Sequence, residues 1–309
     1  METPVQDRVV LQMTDLPEQV AATLREAFDV LRYPSAPQEQ TRFLQVHGGK
    51  IKGVAGTGKS AVTKAVLEAL PNLEIISVTS AGLDGIDVAA AEARGIKIAN
   101  TSTILANEVA DLALWLLVSV ARNLVPADSF VRAGHWLKGN YPLGRSVAGM
   151  KVGILGLGHI GKAIACRLGV MGASIAYSGR QQQAGVAFPY FKTADELAAW
   201  SDCLVVSCPG NEETRHLVGQ AVLNALGPSG IVVNISRGTV IDEDALVAAL
   251  SDGMIFGAGL DVFAHEPEVP AGLLQSDRST LLPHIGSATH ETRARMGQGM
   301  VDALLKHFR

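Results

Sequence analysis

The chain has 309 residues, 48% of them hydrophobic and 5% aromatic, so it can bury a large core and is expected to form two domains. Its formal net charge of −4 and its lack of a long basic run exclude an obvious nucleic-acid partner. The N-terminal segment lacks the basic and then apolar pattern of a signal peptide. The most apolar segment, Leu112 to Ala121, is too short to span a bilayer. These features predict a soluble, cytoplasmic protein without a membrane partner.

The three cysteines, Cys166, Cys203 and Cys208, lie in apolar contexts and lack metal-ligand spacing. Their number is odd, so they do not form a disulfide framework. They predict reduced core thiols in an intracellular protein and no metal site.

Residues 8–100 alternate short apolar runs with helical patterns, which predicts βαβ units around a parallel sheet. The predicted strands are Val9–Gln12, Asp29–Arg32, Ile51–Val54, Leu73–Val78 and Ile96–Ala99. The predicted helices are Glu18–Ala27, Ser60–Leu70 and Val88–Arg94.

The segment Glu108–Arg122 is apolar on nearly all faces, which predicts a helix buried between domains or subunits. An irregular stretch rich in glycine and aromatic residues follows at 133–144. Its Trp136 is either a local packing residue or part of a subunit contact or pocket wall. Both interpretations stay open, although the two segments together suggest a homodimer.

Residues 151–180 contain a strand, a glycine-rich turn, a helix and a second strand. The turn carries Gly156-x-Gly158-x-x-Gly161, the fingerprint of dinucleotide sites. Gly156 permits the tight turn, Gly158 lets the backbone approach a pyrophosphate, and Gly161 allows close packing of helix and strand. The free N–H groups of the helix start favour the phosphate charge.

The end of the second strand indicates which dinucleotide is bound. NAD sites usually have an acid there that holds the ribose 2′-hydroxyl, but this chain has Ser178, Gly179 and Arg180. No carboxylate repels a 2′-phosphate, and a guanidinium can bind one. The strand end therefore predicts NADP(H).

Beyond the fingerprint the alternation of strands and helices resumes. The predicted strands are Cys203–Ser207, Gly230–Ile235, Ile255–Leu260 and Ser279–Leu282. The predicted helices are Ala194–Trp200, Gln220–Leu226, Glu243–Ser251 and a final one from about Ser287 to Phe308.

Charged residues follow three of these strands. Arg237, Glu266 and His284 each lie just past an apolar run, where ligands bind in parallel α/β sheets. Reduction of a carbonyl needs a cation that holds the substrate and a proton donor near the carbonyl oxygen. The three residues are therefore candidates for catalysis.

The chain resembles the D-isomer-specific 2-hydroxyacid dehydrogenases in four motifs of matching order and spacing. These are Gly156-Leu-Gly-His-Ile-Gly161, Asn234-Ile-Ser-Arg237-Gly, Gly259-Leu-Asp-Val-Phe-x-x-Glu266-Pro and Pro283-His284-x-Gly-Ser. The resemblance covers nearly the whole chain. Within the family, three segments look like the branch of NADPH-dependent glyoxylate/hydroxypyruvate and hydroxyphenylpyruvate reductases: Ser178–Arg180, Ser80–Asp84 and Val109-Ala-Asp-Leu-Ala.

The resemblance implies a role for each candidate residue. His284 would be the general acid, Glu266 its partner, and Arg237 would hold the substrate carboxylate and keto oxygen. The cofactor would contact Gly156, Leu157, Gly158, His159, Ile160, Gly161, Ser178, Gly179, Arg180, Cys208, Pro209, Thr214, Ile235, Ser236, Asp261 and Ser287. The substrate carboxylate would also meet backbone N–H groups of Ala55, Gly56, Ala81 and Gly82.

A second motif, Gly53-Val-Ala-Gly-Thr-Gly58-Lys59-Ser60, formally satisfies the P-loop pattern between a predicted strand and helix. Alone it indicates a nucleoside triphosphate. It lies, however, where the family has its substrate-carboxylate loop, and the next strand runs on to Thr79-Ser80 without the aspartate of a magnesium site. We therefore expect it to hold a small carboxylate.

The predicted fold is α/β, with two parallel-sheet domains of Rossmann-like or flavodoxin-like type and the active site in the cleft between them. A substrate-binding domain is expected at 1–100 plus 285–309, and the NADP(H)-binding domain at 101–284. The predicted function is NADPH-dependent reduction of a small 2-oxo acid to the D-2-hydroxy acid. The alternatives are an NAD-dependent dehydrogenase of another substrate, such as phosphoglycerate, and a non-catalytic dinucleotide sensor.

Overall fold

The computed structural model describes residues 8–309, which divide into two compact units. Unit 1 comprises the described residues up to Leu105 together with Ala288–Arg309, and unit 2 comprises Ala106–Ser287. These boundaries lie five and three residues beyond the predicted ones. The assignment of substrate to unit 1 and of NADP(H) to unit 2 stays a prediction at this point.

Twelve strands and twelve helices alternate along most of the described chain. The strands are β1 (Val9–Gln12), β2 (Asp29–Arg32), β3 (Ile51–Gly56), β4 (Ile75–Val78), β5 (Lys97–Ala99), β6 (Lys151–Leu155), β7 (Ser174–Ser178), β8 (Tyr190–Phe191), β9 (Cys203–Val206), β10 (Ile231–Asn234), β11 (Gly257–Leu260) and β12 (Ser279–Leu281). The helices are α1 (Glu18–Ala27), α2 (Pro37–His47), α3 (Lys64–Glu68), α4 (Val88–Ala93), α5 (Ser102–Arg122), α6 (Leu124–Arg132), α7 (His159–Val170), α8 (Ala194–Trp200), α9 (Gln220–Leu226), α10 (Glu243–Ser251), α11 (Ala271–Leu274) and α12 (His290–Phe308).

Each unit is built on one parallel sheet. Unit 1 has five strands in the order β2-β1-β3-β4-β5, the flavodoxin-like arrangement. Unit 2 has seven strands in the order β12-β11-β10-β9-β6-β7-β8. In unit 2 the strand order reverses between β6 and β9, which is the point where doubly wound sheets bind dinucleotides. The predicted α/β fold with two parallel sheets is confirmed.

The strands of both sheets form where the sequence has short runs of apolar residues. Strands β1, β4, β9, β10 and β11 are buried along their whole length, as expected for strands covered by helices on both faces. This burial explains why the sequence predicted them as continuous apolar runs.

Three helices and one strand were not predicted from the sequence: α2, α6, α11 and β8. Helix α2 has its apolar residues Phe43, Leu44 and Val46 only in its C-terminal half, and α6 contains Pro126, so neither shows the regular helical pattern on which sequence prediction depends. Helix α3 begins at Lys64 rather than at Ser60, because Thr63 caps it by accepting the N–H of Val66 at 3.4 Å.

Helix α5 begins six residues earlier than predicted and has 21 residues. Its length and mean hydropathy of 1.7 would suit a membrane span, but 56% of its most apolar window is buried inside the protein. It packs on the sheet of unit 2. A Cβ at Gly257 would lie 2.7 Å from Val120, and a Cβ at Gly259 would lie 3.0 Å from Leu116. One face of this half of the helix therefore packs on the sheet of unit 2, and a position between domains or subunits stays a prediction.

The motif that resembles a P-loop does not have P-loop geometry. In a P-loop the lysine and serine open a helix, whereas Lys59 and Ser60 lie in a turn and α3 begins only at Lys64. Ser60 is buried, and its Oγ accepts the N–H of Thr57 at 3.0 Å. The hydroxyl is thus used to close the turn, which argues against a triphosphate site.

The three cysteines are all free, but only two of them belong to the core. Cys203 and Cys208 are buried as predicted. Cys166 is exposed on α7, so the prediction of a core thiol is wrong for this residue. The predicted cytoplasmic location stays a prediction.

Helix α12 completes unit 1 by packing on its sheet. Met300 and Leu304 are fully buried among Val10 and Ile75, and Ser77 Oγ on β4 donates to the carbonyl of Met300 at 2.9 Å. The C-terminal segment is therefore part of the core of unit 1.

Replacing Leu304 by alanine should destabilise the protein by about 2–5 kcal/mol, because it removes a fully buried side chain and leaves a cavity. Urea unfolding measures the change. The matched control is Lys306→Ala, an exposed position on the same helix. A Leu304→Ala protein as stable as the control would contradict the packing of α12.

Candidate active site

The glycine turn between β6 and α7 has the geometry of a phosphate cradle. Gly156 has a φ of 92°, and a Cβ there would lie 2.6 Å from the Cα of Cys208. A Cβ at Gly161 would lie 2.3 Å from the carbonyl oxygen of Gly156. At Gly158 nothing lies within 4 Å of such a Cβ. There is thus no room for a side chain at Gly156 or Gly161, whereas Gly158 faces open space.

This turn fits a dinucleotide. Helix α7 begins at His159 with Gly158 as its N-cap and no side-chain cap, so its first N–H groups are available to an anion. The open space over Gly158 lies where a pyrophosphate must approach the backbone.

The end of β7 lies beside the turn. The carbonyl of Ser178 accepts the N–H of Gly156 at 2.8 Å. Ser178 is buried, whereas Gly179 and Arg180 are exposed. The residues that follow are Gln181, Gln182 and Gln183, so no carboxylate occupies the position that holds a ribose 2′-hydroxyl in NAD sites.

The loop after β9 is the next part of the predicted cofactor site. Cys208 is buried against Gly156, and burial raises the pKa of its thiol to about 11, so the thiol stays protonated at neutral pH. Thr214 Oγ1 donates to the carbonyl of Pro209 at 2.7 Å and closes the loop. Of the remaining predicted cofactor residues, Leu157, Ile235 and Ser236 are buried, Ile160 and Ser287 are half-buried, and His159 is exposed.

His284 and Glu266 lie in direct contact. His284 Nδ1 is 2.8 Å from Oε1 and 2.9 Å from Oε2 of Glu266. A carboxylate only accepts hydrogen bonds, so Nδ1 is the donor and carries the proton. The ring is then held in one orientation, and Nε2 is the nitrogen left for a substrate.

A second carboxylate holds the turn that carries His284. Asp261 accepts the N–H of Ile285 at 2.7 Å and that of Gly286 at 2.8 Å. His284 itself has a φ of 55°, a left-handed conformation that is uncommon outside glycine. Burial raises the pKa of Asp261, against the lowering effect of the two N–H donors. The sequence suggested only a cofactor contact for Asp261, and the structure adds this structural role.

Arg237 is positioned by close backbone packing on two sides. A Cβ at Gly238 would lie 1.9 Å from the carbonyl carbon of Phe263, in the loop that leads to Glu266. A Cβ at Gly210 would lie 2.6 Å from Cγ of Arg237. The arginine side chain thus crosses the backbone of the loop after β9, and its own turn rests on the Glu266 loop.

Glu243 supports the same loop and was missed by the sequence analysis. Its Oε1 accepts the N–H of Ala264 at 2.9 Å. Burial raises its pKa, and the hydrogen bond from Ala264 partly offsets this. Glu243 lies in the first turn of α10, where an acid is usually explained by the helix dipole, so no sequence signal distinguishes its second role.

The predicted substrate residues belong to unit 1. Ala55 and Gly56 are buried inside β3, which is two residues longer than predicted. Ala81 and Gly82 are half-buried in the loop after β4. This loop contacts the turn after β3, since a Cβ at Gly58 would lie 1.9 Å from the carbonyl oxygen of Gly82. Within residues 8–309, no group of three His, Cys, Asp or Glu side chains could hold a metal ion.

Replacing Gly210 by alanine should displace Arg237, because the new Cβ would overlap the root of its side chain rather than its flexible end. A misplacement of about 1 Å can lower activity about 10²-fold. We therefore expect a loss of that order in kcat/KM for 2-oxo acid reduction with little change in thermal stability. Gly169→Ala is the matched control, since a Cβ there meets nothing within 4 Å. Equal activity of the two variants would contradict this placement of Arg237.

A protein-family model for the D-isomer specific 2-hydroxyacid dehydrogenase NAD-binding domain matches residues 114–286. Glyoxylate/hydroxypyruvate reductase A of Arabidopsis thaliana is 41% identical over 299 residues, 97% of this chain and 95% of that protein. Hydroxyphenylpyruvate reductase of Plectranthus scutellarioides is 40% identical with the same coverage.

A solved structure extends the similarity to three dimensions. The NADPH-dependent glyoxylate/hydroxypyruvate reductase of Sinorhizobium meliloti, in complex with NADP and malonate, has a TM-score of 0.87 and 39% identity. The match covers 98% of this chain and 94% of that one. The resemblance noted from the motifs is confirmed: this chain belongs to the D-isomer specific 2-hydroxyacid dehydrogenase family, whose NAD-binding domain lies within its unit 2.

Proposed function

We propose that this chain catalyses the NADPH-dependent reduction of a small 2-oxo acid, of the glyoxylate or hydroxypyruvate type, to the D-2-hydroxy acid. The observation that carries the proposal is the pairing of His284 Nδ1 with both oxygens of Glu266, in the unit that contains the dinucleotide turn. Two of the relatives named above are glyoxylate/hydroxypyruvate reductases by name and support this choice of substrate, while the third is named for hydroxyphenylpyruvate, an aromatic 2-oxo acid.

His284 supplies the proton in this reaction. Because Nδ1 donates to Glu266, the proton that can be transferred is the one on Nε2 of the imidazolium form. Transfer of this proton to the keto oxygen leaves a neutral ring whose Nδ1–H still donates to Glu266. The carboxylate therefore stabilises the charged ring before transfer and fixes its orientation throughout.

Arg237 binds the substrate carboxylate. Its planar guanidinium can bind a carboxylate through two parallel hydrogen bonds and polarise the neighbouring keto oxygen. The packing of Gly210 and Gly238 limits where that guanidinium can lie, which favours one orientation of the 2-oxo acid.

The residues of unit 2 fit NADP(H). When bound, the reduced nicotinamide supplies the hydride. The turn Gly156–Gly161 would hold the pyrophosphate, and Arg180 would bind the 2′-phosphate beside Ser178. The lack of an acid from Ser178 to Gln183 favours NADPH over NADH.

The proposal predicts that the protein oxidises NADPH when glyoxylate or hydroxypyruvate is present, which a fall in the absorbance of NADPH measures. NADPH should be clearly preferred to NADH as the hydride donor. Replacing His284 by alanine should lower kcat about 10²- to 10⁴-fold, the usual contribution of a positioned acid, and leave NADPH binding unchanged. Pyruvate and an aromatic 2-oxo acid define the substrate range. A His284→Ala enzyme with a normal kcat would contradict the assignment of the acid, and a preference for NADH would contradict that of the cofactor.

The assembly that we propose is a homodimer formed through residues 124–143 of unit 2. Trp136, Leu137 and Leu143 are 67%, 94% and 99% exposed, and Val125 and Val131 are exposed as well. A run of large apolar side chains in water is unfavourable and is typical of an interaction surface. This favours the subunit-contact interpretation of Trp136.

Light scattering coupled to size exclusion tests the dimer. The native protein should have twice the chain mass of 32.4 kDa, and Leu137→Glu should give the monomer, because it places a charge in the contact. Leu274→Glu is the matched control, an exposed leucine elsewhere in unit 2. A native monomer, or a Leu137→Glu dimer, would contradict the proposed interface.

A further inference from the structure

The segment that follows β7 returns to the glycine turn and is tied to it by a side chain. Gln183 Nε2 donates to the carbonyl oxygen of Leu157 at 2.8 Å. Leu157 lies between Gly156 and Gly158, in the middle of the turn that would hold the pyrophosphate. One glutamine therefore connects the two parts of the dinucleotide site.

Two tyrosines hold the ends of the same segment. The backbone N–H of Gln183 donates to Tyr177 Oη at 2.8 Å, and Tyr177 is only 1% exposed. At the other end, Tyr190 Oη donates to the carbonyl oxygen of Gly179 at 3.1 Å. The two rings pack on each other with centroids 5.3 Å apart.

Arg180 lies between these anchors. Gly179, the residue before it, and Gln183, three residues after it, are each held by hydrogen bonds to β7, β8 or the glycine turn, while Arg180 itself is exposed. A cation on a loop that is already ordered loses less conformational entropy when it binds a phosphate. The loop that carries the guanidinium of Arg180 is therefore already ordered before the 2′-phosphate binds.

We propose that Gln183, with Tyr177 and Tyr190, is a positioning residue that sets the selectivity for a 2′-phosphate through Arg180. This inference rests on the proposed use of NADP(H). NADH has no 2′-phosphate, so its binding does not use Arg180. Loosening the loop weakens NADPH binding more than NADH binding, and the ratio of the two dissociation constants is the property that changes.

The test is a titration of the intact protein with NADPH and NADH, followed by the fluorescence of the reduced nicotinamide, without any substrate. Gln183→Ala and Tyr190→Phe should each reduce the preference for NADPH about fivefold, the factor that corresponds to one lost hydrogen bond. Gln182→Ala, the exposed neighbour, should leave it unchanged. Tyr190→Phe keeps the ring contact and is the milder variant should Gln183→Ala fold poorly.

A double-mutant cycle separates positioning from general stabilisation. If Gln183 acts through Arg180, then adding Gln183→Ala to Arg180→Ala should change the preference no further. Equal weakening of NADPH and NADH by Gln183→Ala, or an additive double variant, would overturn this proposal and leave the proposed function intact. If the unaltered protein bound NADH more tightly than NADPH, the assignment of NADP(H) as the cofactor would be contradicted. This proposal would then fail as well, because it rests on that assignment.

Discussion

The hydrogen bond between His284 and Glu266 is the constraint on which the rest of the site depends. It decides which ring nitrogen is protonated and which one faces the substrate. The backbone of His284 has a left-handed conformation that a non-glycine residue rarely adopts. Asp261 holds that turn by accepting the next two backbone N–H groups. One carboxylate thus orients the side chain and the other keeps the backbone in place, so the proton donor is positioned before substrate arrives.

The parallel sheet of unit 2 explains why residues distant in sequence meet. Strands β10, β11 and β12 are neighbours, and Arg237, Glu266 and His284 each follow the carboxyl end of one of them. In the same way, the glycine turn, Arg180 and Cys208 follow the carboxyl ends of the neighbouring strands β6, β7 and β9. The small size of glycine then allows the loops to touch: Gly210 admits the arginine side chain, and Gly238 admits the loop of Glu266. The chemistry is specific to these loops, and the sheet supplies their positions.

Sequence patterns predicted the parts of this molecule that depend on local order. Apolar runs predicted every strand of the two sheets except β8, and the family resemblance implied the contact of His284 with Glu266. Helix α2 was missed because its apolar residues are confined to its C-terminal half, and α6 because it contains Pro126. The supporting roles of Asp261 and Glu243 were missed because their partners are backbone N–H groups 24 and 21 residues away, which no residue type in the sequence marks. The P-loop pattern shows that spacing alone does not define a site: the sequence analysis rejected a triphosphate there, and the turn that the motif forms buries Ser60 and starts no helix.

Nitrogen NMR of the histidine side chains tests the central claim most directly. The chain has eight histidines, and comparison of the ¹⁵N-labelled protein with a His284→Gln variant identifies the signals of His284. At a pH where the ring is neutral, the hydrogen bond to Glu266 predicts the tautomer with its proton on Nδ1 and a free Nε2. A neutral ring with its proton on Nε2 would contradict the account, because Glu266 would then face a nitrogen that has nothing to donate.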